Sequence, residues 1–293
     1  MHVSGLFIYP VKSCRGHSVP TAELDDHGII GDRRFMVVTE TEGMFLTQRS
    51  HPRMALIETT LTKDSLVLSS PKHGSVTVPA FASPAGAGTN PGDRSRGTTG
   101  QTATLNPVMR RVTVWKSTVN ADDCGEEAAE WLTDFLGLPL RLVRMGGTFQ
   151  RPMLKAAAQA GDVVSFADSC PFLIVSEASL ANLNDRILEN QGEPVPMNRL
   201  RPNIVVNGGE AFAEDSWGRF RIGDVIFRNA GLSVRCIITT TDQFTGARGK
   251  EPLKTLATFR RDPASPGDVI FGVNLIHETK RGTLHLGAQV EPL

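Results

Sequence analysis

The stretch "FRIGDVIFRNAGLSVRCIITT", Phe220 to Thr240, decides the fold reading. Apolar residues alternate with polar ones on both sides of Gly223-Asp224, a pair suited to the tight two-residue turn of a β-hairpin. The second arm continues as an apolar run to Cys236, which directly follows Arg235 and precedes three threonines. Two readings of Cys236 stand side by side: a small hydrophobe at the end of a strand, or a thiolate delivered there for chemistry.

Outward from this hairpin the same pattern repeats. "RPNIVVNG", "DVIFGVNLIHE" and "GTLHLGAQV" read as strands in the second half, and "LFIYPV", "RRFMVVTETEG", "FLTQRS" and "RRVTVWKSTV" in the first. "ALIETTLTKDSLVLSS" reads as two strands around a Lys-Asp turn, and "LRLVRM" as a further strand. Many short strands separated by turn signals predict β-barrels or sandwiches.

Two helices interrupt them. "DDCGEEAAEWLTDFLG" places Ala128, Trp131, Leu132 and Phe135 on one face, with Asp123 as N-cap and Gly137 as stop. "DSCPFLIVSEASLANLNDRILENQG" reads as a strand followed by a helix that starts at Ser176, repeats Leu180, Leu183, Ile187 and Leu188 at helical spacing, and stops at Gly192. No βαβ alternation is legible, so a Rossmann fold is disfavoured. The fold class expected is mainly β (α+β).

At 293 residues the chain is long for one domain, which predicts two lobes. Between Pro79 and Pro107 the composition turns to Gly, Pro, Ser and Thr, a long insertion near residues 80–106. Gly86, Gly88 and Gly92 within it lack the strand and helix that a phosphate loop requires. Thirty-one basic residues balance 31 acidic ones, so overall charge gives no case for nucleic acid or an anionic membrane. No run of eighteen apolar residues and no charged leader marks a membrane span or a secretory signal. Cys14, Cys124, Cys170 and Cys236 are scattered without CxxC, and the seven histidines without HxH or HExxH. The expectation is a cytoplasmic protein with reduced thiols.

Three polar clusters end or interrupt strands: "PVKSCRG" with Lys12, Ser13 and Arg15, joined by Arg33 and Arg34 of "GDRRF"; "DSCPF" with "NRLRPN", carrying Arg199, Arg201 and Asn203; and "SVRCIITT". Guanidinium groups, an ammonium, hydroxyls and loop N–H groups suit a phosphate-bearing ligand. Each arginine alone reads equally as a barrel-rim partner for a carboxylate, and Lys12 as a solvated loop lysine.

The ordered segments "YPVKSCRG", "DRRFMVV", "DCGEEAAEWL", "CPFLIVSEASLANLN", "RLRPNIVV", "AEDSWGRFRIGDV", "RCIITTTDQFTG" and "KEPLKTL" change that weighting. In them the chain resembles the MOSC family of molybdenum-cofactor proteins, in the group of the mitochondrial amidoxime reducing component and its bacterial counterparts. The resemblance implies an N-terminal β-barrel-like domain over residues 1–120 and a MOSC β-barrel with a few helices over 121–293. It implies that Cys236 is the protein's ligand to molybdenum, a soft thiolate completing a centre held by the pterin dithiolene of Mo-molybdopterin. Lys12, Ser13, Arg33, Ser169, Cys170, Arg201, Asn203, Arg235 and Thr239 are implied as cofactor-binding, with Thr240 as a further neighbour. Cys170 stands where relatives often carry a hydroxyl.

The activity implied is reduction of amidoximes, hydroxylamines and N-hydroxylated bases. Electrons would come from a separate donor, ferredoxin-like or b-type-cytochrome-like with its reductase. No side chain stands out as a general acid; Asp242 is the nearest candidate. Two other classes remain open: a sulfur carrier or transferase with a Cys236 persulfide, and a non-catalytic cofactor-binding protein.

Overall fold

The expected turn at Gly223-Asp224 forms: Arg219–Ile222 pairs antiparallel with Val225–Arg235, with Ile222 opposite Val225. Gly223 has φ +56°, a left-handed conformation that glycine adopts without a Cβ penalty. Phe220, Ile222, Val225 and Phe227 point into the core, and Arg219 and Arg221 point outward. The computed structural model describes residues 1–80 and 108–293.

From this hairpin a nine-stranded sheet extends. Val225–Arg235 pairs with Ser265–His277, which pairs with Phe172–Ser176. Phe172–Ser176 runs parallel to Ile204–Asn207, which pairs with His2–Ile8 at the start of the chain. The register of Val225–Arg235 shifts twice, between Asn229 and Leu232 and again between Leu232 and Val234. Such bulges bend a strand and re-aim its end, here the end that carries Cys236.

The parallel pair corrects one expectation. Helix α2 (Glu177–Glu189) crosses between Phe172–Ser176 and Ile204–Asn207, so one βαβ unit is present. Phe172–Ser176 is buried at all five positions, as a strand covered on both faces must be; the strand, helix and next strand each read correctly, and only the parallel pairing of the two strands was not legible. Ser176 caps α2, accepting from Ser179 N at 3.0 Å. Leu183 and Ile187 are buried, whereas Leu188 is exposed and off the apolar face.

The other lobe is built from a four-stranded sheet and a meander. The sheet order is Phe35–Thr39, Leu140–Arg144, Ser117–Asp123, Met109–Val114, and the meander is Glu58–Leu61, Ser65–Ser70, Gly74–Pro79. Helix α1 (Glu126–Leu136) buries Ala128, Trp131, Leu132 and Phe135 against both. Its N-cap is Gly125 rather than Asp123, which is still in the strand and accepts from Gly125 N at 2.7 Å. "RRVTVWKSTV" is a hairpin turned at Trp115-Lys116, not one strand, and residues 44–50 form a loop with isolated bridges, where "FLTQRS" (45–50) was expected as a strand.

The fold is mainly β, with three α-helices among the described residues; the third, α3, spans Leu253–Phe259. A division at residue 120 would cut the strand Ser117–Asp123, which is bonded on both sides. His2–Ile8 lies in the sheet of the second lobe, and Thr21–Asp25 pairs with Gly282–His285. The lobes therefore exchange strands, because long-range pairing rather than chain order decides which edges are satisfied. The insertion near 80–106 falls, apart from Ala80, outside the described residues.

Candidate functional site

Where the two lobes meet, a cavity of about 220 Å³ opens. All ten candidate residues line it: Lys12, Ser13 and Arg33 from the first lobe, Ser169 and Cys170 from the connecting segment, and Arg201, Asn203, Arg235, Cys236 and Thr239 from the second. Arg49, Lys155 and Asp168 line it too, although none of them was among the sequence candidates. Six cations (Lys12, Arg33, Arg49, Lys155, Arg201 and Arg235) thus face one carboxylate, Asp168, among the described residues. That imbalance is the electrostatic signature of an anion site.

Cys236 ends the strand Val225–Arg235 and begins a 3-10 turn, Ile237–Thr240. Thr239 Oγ1 donates to the Cys236 carbonyl at 2.9 Å and its N–H meets the same oxygen at 3.0 Å, so this threonine fixes the backbone under the thiol. Thr240 donates to Ile237 O at 2.8 Å and does not line the cavity. Arg235 bonds Leu200 O at 2.6 Å and Ser233 Oγ at 3.0 Å. Burial pulls its guanidinium down to about 10. The Nε of Arg235 and the Nη1 of Arg49 are buried without a hydrogen-bond partner, two N–H donors left over at the cavity.

Tyr9, behind the cavity lining, organises two of its arginines. The Arg33 and Arg201 guanidinium carbons each lie 4.3 Å from its ring centroid, a double cation–π contact. The buried phenol donates to Pro202 O at 3.0 Å. Arg33 also bonds Asp32 at 2.6 Å and Asn203 Oδ1 at 2.9 Å. Ser13, Arg33 and Arg201 all have positive φ, at 66°, 48° and 54°. A non-glycine residue held there costs on the order of 1–3 kcal/mol, strain that persists only where the surroundings over-determine it.

Lys12 is buried and donates to Phe166 O at 2.8 Å and to Asp168 Oδ1. Burial lowers its ammonium to about 8, against the opposing pull of Asp168. Asp168 Oδ2 accepts from Arg49 at 3.0 Å and Oδ1 from Trp115 Nε1 at 3.1 Å. Burial pushes this carboxyl up, but Lys12 and Arg49 more than reverse that and hold it below the usual carboxylate range. Arg151 pins the same segment from behind, bonding Ser165 O at 2.7 Å and Ala167 O at 2.5 Å.

The lobes are locked beside the cavity by a reciprocal amide pair. Gln48 and Gln243 exchange two bonds of 3.0 Å, both side chains buried, and Gln48 also donates to Ser13 O at 2.8 Å. The remaining sequence candidates serve the framework. Arg15 bonds Glu58 at 2.5 Å and Gln243 O at 2.9 Å, Arg34 bonds Asp25 at 2.6 Å, and Arg199 bonds Asp242 at 3.1 Å. Asp242 accepts from Phe244 N, Thr245 N and Thr245 Oγ1. Burial raises it, yet these bonds and Arg199 leave its pKa lowered, which removes it as a proton donor near neutrality. All four cysteines are free, with Cys170 buried and its thiol pushed up by that burial.

The MOSC N-terminal beta barrel domain family matches residues 1–139, and the MOSC domain family matches residues 161–291. The chain belongs to the MOSC family. Mitochondrial amidoxime-reducing component 1 of Homo sapiens is 36% identical to this MOSC protein over 304 residues, covering 98% of this chain and 82% of that one. Its Mus musculus counterpart is 37% identical over 268 residues, 88% and 71% of the two chains. A molybdenum cofactor sulfurase of Danio rerio is 31% identical over 306 residues, 99% of this chain and 34% of the sulfurase, so this chain spans about a third of that protein. No helix among the described residues is long and apolar enough to cross a membrane.

Proposed function

We propose that this MOSC protein is a molybdenum-cofactor-dependent reductase of N-hydroxylated compounds such as amidoximes, hydroxylamines and N-hydroxylated bases. The observation that carries the reading is a thiol, Cys236, in the same cavity as six cations and two buried N–H donors without partners. Those donors suit a phosphate-bearing ligand, and a half-buried thiol at a strand end suits a soft metal, so the residues present fit Mo-molybdopterin. The relation to amidoxime-reducing components supports the substrate class.

In this reading Lys12, Arg33, Arg201 and Arg235 hold the anionic end of the cofactor, with Ser13, Ser169, Cys170 and Asn203 lining its bed. Cys236 supplies the thiolate to the metal, and Thr239 keeps the backbone beneath it in place. When bound, the cofactor supplies a redox metal able to remove oxygen from an N–O bond. In the same reading, electrons come from a separate donor, ferredoxin-like or b-type-cytochrome-like with a reductase. The reading also assigns the protein to the cytoplasm, an assignment that cell fractionation with an antibody to the chain would overturn if the signal followed another compartment.

A second reading rests on the sulfurase relative: Cys236 as a sulfur carrier. Elemental analysis of protein from a cofactor-competent host separates the two. Near-stoichiometric molybdenum that disappears in Cys236→Ala, with dye-driven benzamidoxime reduction lost as well, is the expected result. Metal-free wild-type protein that takes labelled sulfur at Cys236 would sink the reductase reading.

A further inference from the structure

Asp168 is the odd group in the cavity. Its carboxylate is the lone anion among the described lining side chains, and it engages Lys12 and Arg49 together. Lys12 comes from the loop after the first strand, Arg49 from the Met44–Ser50 loop, and Trp115 from a hairpin tip. Three separate pieces of the first lobe therefore converge on one side chain of the connecting segment. The carboxylate is nevertheless 49% exposed, whereas Lys12 behind it is 4% exposed. An anionic group entering the cavity can meet Arg49 Nη1, which has no partner, but gains the Lys12 and Arg49 Nη2 bonds that Asp168 now holds only by displacing it. A charge pair at a partly buried site resists that exchange, because the effective dielectric is low and neither ion is fully hydrated.

We propose that Asp168 is a resident counter-ion that competes with the anionic group of the ligand for Lys12 and Arg49, and so sets how tightly that ligand is held and how readily it leaves. The inference rests on the reading of this cavity as the seat of a phosphate-bearing ligand, and it assigns to Asp168 neither metal binding nor proton transfer. Trp115 is the built-in reporter. Its indole N–H bonds the same oxygen as Lys12, so movement of the carboxylate changes the surroundings of one of only three tryptophans.

The test uses the full chain from a host unable to make the cofactor, with inorganic phosphate as probe. Asp168→Asn keeps the shape and an acceptor oxygen for Lys12 and Trp115 while removing the charge. Calorimetry is expected to show phosphate binding tightened about ten-fold, the effect of deleting one opposing charge at contact range. Unchanged or weaker binding in the variant, or no phosphate binding by either protein, overturns the proposal. A second measurement does not depend on the variant folding: phosphate titrated into the wild-type protein is expected to shift tryptophan emission, and Trp115→Phe is expected to abolish the shift. Phosphate binding seen by calorimetry with silent emission also overturns it. Tightened phosphate binding in a protein that never loads molybdenum would defeat the cofactor reading alone; full molybdenum loading without tightening would defeat only the role of Asp168.

Discussion

Tyr9 is the chain's single tyrosine, and two of its replacements separate the forces that build the cavity wall. Tyr9→Phe removes one hydroxyl and leaves Pro202 O without its 3.0 Å donor, a loss of about 1–3 kcal/mol for a buried unsatisfied carbonyl. Tyr9→Leu removes the ring as well. Two guanidinium groups at 4.3 Å then lose their platform, and at about 0.5–2 kcal/mol for each contact the second variant should fall roughly 1–4 kcal/mol below the first. Urea unfolding followed by tryptophan emission measures both, with equal slopes expected because the exposed surface hardly changes. Phosphate binding should survive in Tyr9→Phe and weaken in Tyr9→Leu, since Arg33 and Arg201 line the cavity. If Tyr9→Leu lies within about 0.5 kcal/mol of Tyr9→Phe, below the worth of a single such contact, the cation–π account is wrong. The phenol offers an independent check. Burial raises it to about 12 although Arg201 and Arg33 oppose, so ultraviolet titration of the folded protein should show no phenolate near the ordinary value of 10.0.

Two further outcomes follow from the second lobe. His277 is fully buried, its Nε2 meets Asp25 O at 2.6 Å, and its Nδ1 has no partner. Burial lowers it from 6.5 to about 4, with Lys280 lowering it further and Asp25 and Asp162 opposing, so the fold binds the neutral ring and the unfolded chain takes the proton first. Stability from this residue is therefore present above pH 6.5 and falls as pH drops toward 4, by up to about 1.4 kcal/mol per pH unit; His277→Met should flatten that slope in acid unfolding curves, and an unchanged slope would refute the assignment. Leu183, with no exposed surface, should cost about 2–5 kcal/mol on change to alanine, whereas exposed Leu188 should change stability by less than about 0.5 kcal/mol; comparable losses at the two positions would contradict the observed helix face.

Much of this molecule is legible in its sequence. The Gly223-Asp224 turn, the apolar face of α1, the Ser176 cap of α2 and most strands depend on neighbours within a turn or two, where periodicity and capping act. The ordered family segments brought ten side chains to one cavity, although spacing alone left Cys236 open between hydrophobe and ligand. Tertiary structure alone decided the rest. Lys12 and Asp168 meet across 156 positions of chain, and Gln48 and Gln243 across 195. Arg49 was hidden in a segment that reads as a strand and folds as a loop. The first strand joins a sheet whose other members follow residue 171 or precede residue 19, and Phe172–Ser176 pairs in parallel with Ile204–Asn207 across helix α2. Turns and caps are settled by local backbone geometry; which edges and charges meet is settled when two surfaces exclude water together, and no short window of sequence carries that information.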